Sequence, residues 1–386
     1  MTREEIVSNA IKLSNSNKAI LLEFSTGSGK TKTALSIMNN LGGKWLVAVA
    51  ETAHKQTWKD EIRKHNLTKL LKDIEFTCYA SLHKYNEKIY KGFVGDEIHN
   101  CLSQKRLDAI KAVKCSSYVL LSATIEKKEK DLLERYIGSI KRFKFSLTDA
   151  IDAQILPKPK VNLISIELDN ISVNQELIIT KGSKTKFSEI TCKIQDRWTY
   201  LKAYKDVKLI IKCTEQEKYD YLCSQIDYYQ KIYYGNGLEA SKNRWLQYAS
   251  QRKRFISEIK TRHVKKLIDG YKERFICFSG SIAQCNQLGG KSVIHSKIKD
   301  PQKIIDKFNN KQINQLYVVD MLREGVNLVE ANAIIVQLDS KSRSAIQMLG
   351  RSLRHSNPVI HIFFVKNTQD EIYLKNSLEE FGDYVV

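Results

Sequence analysis

Short apolar runs alternate with helical stretches over the first 150 residues. The runs are AILLEF (19–24), WLVAVA (45–50), EFTCYA (75–80), KGFVGD (91–96) and SYVLLSA (117–123). Each is bounded by polar or glycine-bearing segments. Strands buried on both faces read as continuous apolar runs, and helices between them favour a parallel sheet in an α/β layer fold. The rhythm returns late in RFICFSG (274–280), KSVIHS (291–296), LYVVDM (316–321), AIIVQL (333–338) and VIHIFFV (359–365), which predicts a second α/β domain. Between the two, VNLISIELDN (161–170) predicts one more strand. From about 171 to 262 the rhythm is lost and the chain becomes rich in Lys, Arg, Gln and Tyr. That stretch predicts a mostly helical insertion, with Gly235 and Gly237 marking a turn between helices. The organisation expected is a first domain over 1–155 and a second over 156–386 that carries the insertion.

A length of 386 residues fits two domains better than one core. Hydrophobic residues at 42% and charged residues at 27% exclude a disordered chain. No run of eighteen apolar residues occurs, which argues against a membrane-spanning helix. The stretch MTREEIVSNAIKLSNSNK lacks the apolar centre of a secretory signal. Lys and Arg number 63 against 43 for Asp and Glu, a formal charge of +20 that suggests a polyanionic partner. None of the eight cysteines forms a C-x-x-C pair, and several sit inside strand-like runs. A reduced, intracellular, cytoplasmic protein is expected.

The strand AILLEF runs into Ser25, Thr26, Gly27, Ser28, Gly29, Lys30 and Thr31, and a helix, KTALSIMNNL, follows. Strand, glycine loop, Lys-Thr and helix form the setting a phosphate-binding loop requires. Glycines let backbone N–H groups turn toward phosphate oxygens, and the helix N-terminus adds partial positive charge. Lys30 would supply a cation for the β and γ phosphates, and Thr31 a hydroxyl for Mg²⁺. The longer G-x-x-x-x-G-K-T pattern would need glycine where Phe24 stands, so the shorter T-G-S-G-K-T form applies.

KGFVGDEIHN places Asp96, Glu97 and His99 at the end of a buried strand. Asp96 could hold the Mg²⁺ that Thr31 also holds, and Glu97 could deprotonate the attacking water. His99 could link nucleotide state to the rest of the molecule. Alone, D-E-x-H could be a solvated turn; downstream of a phosphate loop it reads as chemistry.

These elements resemble the D-E-x-H branch of the superfamily 2 helicases and translocases. Ser122, Ala123 and Thr124 look like that family's S-A-T motif, which couples hydrolysis to nucleic-acid engagement. Residues 321–328 (MLREGVNL), with Gly325, look like its fifth motif. Gln347, Gly350, Arg351 and Arg354 match its sixth, Q-x-x-G-R-x-x-R. Gln56, Trp58 and Glu61 stand as Q-x-W-x-x-E, similar to the Q-x-x-W-x-x-E of DNA-directed restriction-type, branch-migration and remodelling motors though one residue shorter, and a phage helicase is another likeness. The resemblance spans both α/β domains in order and omits the insertion. It implies two RecA-like P-loop domains with parallel sheets, ATP and Mg²⁺ as cofactors, and nucleic acid as partner, DNA before RNA.

On a helix, Gln347, Gly350, Arg351 and Arg354 share one face. That face could reach the γ-phosphate from the second domain, and an arginine there can contribute about 10³–10⁵ in rate. One departure stands out: many members of the family read adenine with a glutamine ahead of the phosphate loop, and here the first glutamine is Gln56. Arg3 or a backbone group is the candidate substitute.

In this family a strand lies across both domains, held mostly by its backbone. The candidates are Thr52, His54 and Ser81 in the first domain, and Ser279, Ser281 and His295 in the second. In the insertion, Arg252 and Arg254 lie near Trp245, Tyr248 and Phe255, where basic and aromatic groups could clamp phosphates and stack bases. The tyrosines at 228, 229, 233 and 234 read more readily as packing. The function expected is an ATP-driven helicase or translocase. The alternatives are an RNA helicase, a duplex translocase that does not unwind, and a nucleotide-switched binding subunit.

Overall fold

The computed structural model describes residues 1–180, 198–203, 206–319, 330–338 and 355–378. The chain divides into two units, one of residues 1–163, 271–362 and 372–386, the other of residues 164–270 and 363–371.

The first unit holds a six-stranded sheet built from β1 (Ala19–Phe24), β2 (Trp45–Val49), β3 (Ile74–Cys78), β4 (Ile89–Gly95), β5 (Lys114–Ser122) and β6 (Ile140–Phe145), in the order β3-β2-β4-β5-β1-β6. Every neighbouring pair is parallel. Every residue of β1 and β2 is buried, which is why both read as unbroken apolar runs. β6 was not foreseen. Its sequence, IKRFKF, mixes buried and exposed positions because it is an edge strand with a wet face. Its Phe143 and Phe145 meet Phe24 edge to face at 5.1 and 5.9 Å. The residue that departs from the longer phosphate-loop pattern is therefore a core aromatic, fully buried. Beside it in β1, Glu23 is buried and paired with Arg142 of β6.

Helices α1 (Arg3–Ser16), α2 (Lys30–Leu41), α3 (Thr52–Lys64), α4 (Gln104–Ala112), α5 (Lys127–Ile137) and α6 (Leu147–Asp152) belong to this sheet's part of the chain. Thr2 starts α1 with a capping box shared with Glu5. Because all strands run the same way and β5 lies between β4 and β1, the segments leaving these three strands emerge side by side at one edge. The carboxyl ends of parallel strands are where α/β sheets place ligands.

A second six-stranded sheet has the order β12-β13-β11-β14-β15-β7. It comprises β7 (Lys160–Ile166), β11 (Phe275–Phe278), β12 (Val293–Ile294), β13 (Gln315–Val318), β14 (Asn332–Ile335) and β15 (Val359–Val365). The pairs β11–β13, β11–β14, β12–β13 and β14–β15 are parallel. Helices α9 (Ile282–Gly289) and α10 (Pro301–Asn309) connect its strands.

The other unit begins where the sequence predicted mostly helix. It contains an antiparallel sheet, β8-β10-β9, formed by β8 (Gln175–Thr180), β9 (Trp198–Ala203) and β10 (Asp206–Cys213). The stretches QELIIT and DVKLIIKC are rich in β-branched residues, which suit strands once a partner is available. Composition alone hid them, because Lys and Gln are common on wet sheet faces too. Helix follows as expected in α7 (Glu215–Asn236) and α8 (Glu239–Asp269). Gly237 takes the left-handed conformation (φ 69°) that ends α7. The tyrosines pack on neighbouring rings but none is in the core: Tyr229 stacks on Tyr248 at 5.7 Å, and Tyr233 lies 6.3 Å from Trp245, both only partly buried. Exposure persists at Tyr228 (45%) and Tyr234 (73%). Lower in the unit, Lys260 of α8 and Asp370 in the first turn of α11 (Gln369–Leu378) form an ion pair at 2.5 Å with both side chains fully buried.

Candidate nucleotide-binding site

Gly27 (φ 86°) and Gly29 (φ 103°) both take the left-handed region that glycine enters without cost. Gly29 is also the N-cap of α2. The Ser28 hydroxyl donates to the Ser25 carbonyl at 2.7 Å and closes the turn. The hydroxyls of Ser25 and Thr26 are buried without a hydrogen-bond partner. Buried polar atoms are nearly always satisfied, so two orphans in the loop that leads from β1 into α2 suit an anion that would complete them. The Lys30 ammonium donates to the Phe24 carbonyl at 3.0 Å and lies 3.8 Å from Glu97 Oε1. Thr31 follows in the first turn of α2, partly exposed. A glycine loop with orphan hydroxyls and a lysine fits a triphosphate. The hydroxyl of Thr31 and the carboxylate of Asp96 are the hard oxygen donors that Mg²⁺ takes.

Asp96 leaves the end of β4 and is held on three sides. Its backbone N–H donates to the Ala48 carbonyl at 2.9 Å. The Trp58 indole N–H donates to Asp96 Oδ2 at 2.8 Å, and the Tyr79 hydroxyl donates to the Asp96 carbonyl at 2.8 Å. Burial, and then the neighbouring Glu97 carboxylate, push Asp96 up to about 6, against the opposing pull of Trp58, Lys30 and His54. A cation at this point would favour the ionised form. Glu97 itself sits at φ 48°, a left-handed backbone unusual for a residue with a side chain, and such strain gathers at functional sites.

His99 extends the cluster. Its Nδ1 lies 3.5 Å from Glu97 Oε2 and 3.3 Å from Ser122 Oγ, and the Ser122 hydroxyl donates to the Thr124 carbonyl at 2.6 Å. Lys30, Glu97, His99, Ser122 and Thr124 thus form a continuous chain of contacts across the ends of β1, β4 and β5. Trp58 and Tyr79 were missed as site residues. Trp58 carried only a general signal, since an indole N–H needs an acceptor once buried, and its acceptor lies 38 residues away. Tyr79 carried none.

The residues expected along a nucleic-acid track divide. Thr52 is exposed at the start of α3, and Ser81 is partly exposed. His54 is buried and acts electrostatically on Asp96, so it faces the acidic site rather than an open surface. Ser279 is buried. Ser281 caps α9 by accepting from the Gln284 N–H at 3.1 Å. His295 is buried with both ring nitrogens engaged, Nε2 with Asn286 Oδ1 at 3.1 Å and Nδ1 accepting from the Lys297 N–H at 3.3 Å. These three shape their loops. Arg252 reaches Cys223 Sγ (3.3 Å) and Gln369 Oε1 (3.4 Å), whereas Arg254 is exposed. Arg3, the candidate substitute for the missing glutamine, donates to the Ile155 carbonyl at 3.1 Å. Gly325, Gln347, Arg351 and Arg354 lie outside the described residues. Among the described residues no helix is long and apolar enough to cross a membrane.

Residues 259–356 match the family model of the helicase conserved C-terminal domain. The search of curated proteins found no match. Similar solved structures include the Pyrococcus furiosus Hef helicase domain, 14% identical with a TM-score of 0.51 over 97% of both chains. Another is S. cerevisiae Dbp5 bound to RNA and ADP BeF3, 14% identical with a TM-score of 0.57 over 98% of this chain and 88% of that one. Dbp5 bound to Gle1 and IP6 is 15% identical, with a TM-score of 0.55 over 98% and 86%. At such identities the likeness is one of fold. The chain has the two-sheet RecA-like fold that these helicase domains share, and its residues 259–356 match a helicase C-terminal domain.

Proposed function

We propose that this protein is an Mg²⁺- and ATP-dependent motor of the D-E-x-H branch that moves along or unwinds nucleic acid. The observation that carries the reading is the run of contacts Lys30–Glu97–His99–Ser122 at the ends of three adjacent parallel strands. Lys30 neutralises the β and γ phosphates, and Thr31 and Asp96 hold the cation. Mg²⁺, when bound, polarises the phosphate and offsets its developing charge. Glu97 takes the proton of the attacking water. Arg351 and Arg354 supply the cationic charge from the sixth motif. Ser122, Thr124 and His99 transmit the state of the phosphate site to the nucleic-acid track.

DNA is favoured over RNA on the strength of the Gln56, Trp58, Glu61 pattern. The RNA reading has its own support in the fold shared with Dbp5, whose structure holds RNA. ATPase rates measured side by side with single-stranded, duplex and branched DNA and with RNA test the reading. Stimulation by a nucleic acid is expected. No stimulation by any of them would turn the assignment toward a nucleotide-switched subunit.

A further inference from the structure

We propose that Trp58 and Tyr79 are positioning residues that transmit nucleic-acid binding directly to the cation ligand Asp96. The inference rests on the functional reading above and adds a second route beside the His99–Ser122 contact. Trp58 and Tyr79 are both nearly fully buried, at 1% and 2% exposure, and both spend their single polar hydrogen on Asp96. They come from different elements. Trp58 lies on α3, which begins at Thr52. Tyr79 opens the short 3₁₀ helix Tyr79–Tyr85 that contains Ser81. These are the two elements of the first sheet that carry candidate strand contacts. Thr52 Oγ1 lies 3.6 Å from Cys78 Sγ, so the two elements also touch each other at their starts.

A helix moves as a rigid rod, and Trp58 lies six residues from Thr52, about 9 Å along the axis at 1.5 Å per residue. A shift of α3 or of the 3₁₀ turn on strand binding therefore moves a donor on Asp96. Trp58 fixes Oδ2, which leaves Oδ1 for the cation; Tyr79 fixes the main chain that carries it. Gly95 makes this close approach possible. A Cβ at that position would lie 3.2 Å from the Tyr79 hydroxyl and 2.8 Å from Ile98 Cδ1. A buried indole always seeks an acceptor, but here the acceptor is the carboxylate assigned to the metal.

The test is equilibrium binding, without turnover. Affinity for a non-hydrolysable ATP analogue with Mg²⁺ is measured with and without an oligonucleotide, and oligonucleotide affinity with and without the Mg²⁺-bound analogue. Linkage makes the two ratios equal, and coupled sites commonly show about 5- to 150-fold. Trp58→Phe and Tyr79→Phe keep the ring and delete the donor. Each is expected to lower the ratio by about two- to tenfold without bringing it to one, because the His99–Ser122 contact and the other donor remain, while oligonucleotide binding alone and Mg²⁺-free nucleotide binding stay as in wild type. A merely structural role would lower the melting temperature and leave the ratio intact in the folded fraction. An unchanged ratio in the variants overturns the inference. If Trp58→Phe does not fold, Tyr79→Phe decides alone. A wild-type protein with no coupling at all would instead overturn the functional reading, and this inference with it.

Discussion

His99 Nδ1 lies 3.3 Å from Ser122 Oγ, joining the acidic loop after β4 to the loop after β5 side chain to side chain. The same histidine nitrogen is 3.5 Å from Glu97 Oε2, so a change of charge at Glu97, the proposed base, would be felt one contact away at Ser122. Ser122→Ala deletes this bond and the one to the Thr124 carbonyl while leaving the phosphate loop whole. ATP hydrolysis without nucleic acid should persist, and strand displacement per ATP should fall. A hydrogen bond contributes about 0.5–1.5 kcal/mol net, which sets the loss at roughly two- to tenfold. Parallel measurement of phosphate release and fork unwinding checks this; an equal fall in both would place Ser122 in chemistry rather than coupling.

Glu97→Gln keeps the shape of the side chain and removes its basicity. Turnover should drop by about 10²–10⁴, the usual contribution of a general base, with nucleotide affinity within a few-fold of wild type. Fluorescent-nucleotide binding and single-turnover hydrolysis separate the two effects. Full turnover in this variant would refute the base assignment.

Lys30→Ala removes the ammonium that now rests on the Phe24 carbonyl and beside Glu97. A charge-assisted bond is worth about 1.5–3 kcal/mol, so nucleotide affinity should fall roughly 10- to 100-fold. Folding should be spared, since the lysine's protein contacts are partly exposed. Nucleotide titration together with a thermal melt decides the matter.

Much of this site was legible in the sequence because it depends on local order. The strand AILLEF, the loop through Thr31 and the helix after it are contiguous, and so is the D-E-I-H box at the tip of β4. What was not legible depends on long-range choice. The Trp58–Asp96 bond joins residues 38 apart and follows from where α3 comes to rest. β6 carries three charges in six residues, and only its place at the sheet edge explains them. His54 and His295 look like free loop histidines in sequence; burial removes both from the surface. The strands after residue 174 pair with one another, a non-local gain that window-by-window reading does not see.

Asp96 also predicts a dependence on acidity. Burial and Glu97 hold it up to about 6, above its ordinary value of 3.8, so its carboxyl keeps its proton to higher pH than a free one. A carboxyl raised on folding stabilises the protein at low pH, and that contribution is lost as pH climbs from about 4 through 6. Mg²⁺ needs the carboxylate, so protons and cation compete. Below pH 6 the Mg²⁺ needed for half-maximal nucleotide binding should rise, approaching roughly tenfold per pH unit. Asp96→Asn should flatten both dependences. Calorimetric titration at several pH values tests the first, and melts without Mg²⁺ test the second.

The arginines of the hairpin should behave differently from each other. Arg254 is exposed, so its replacement by alanine should weaken nucleic-acid binding evenly across sequences and reduce the salt slope by about one contact. Arg252 is engaged with Cys223 and Gln369, and Arg252→Ala should act mainly on stability. Binding isotherms over a salt series distinguish them. An unchanged slope for Arg254→Ala would remove it from the track.

The buried pair Lys260–Asp370 ties the long hairpin to the start of α11, and its energetics are asymmetric. Burial pushes the Lys260 ammonium down, while Asp370 pulls it back up. Asp370 Oδ2 also accepts from the Val365 N–H at 2.9 Å. Lys260→Met therefore strands a buried carboxylate, which should cost about 3–5 kcal/mol. Adding Asp370→Asn removes the stranded charge and keeps an acceptor for Val365. The double variant should be more stable than Lys260→Met alone, although two charges have been lost instead of one. Urea unfolding of the wild type, Lys260→Met, Asp370→Asn and the double variant closes the cycle. A double variant less stable than the single one would mean that the carboxylate is stabilised by groups other than this lysine.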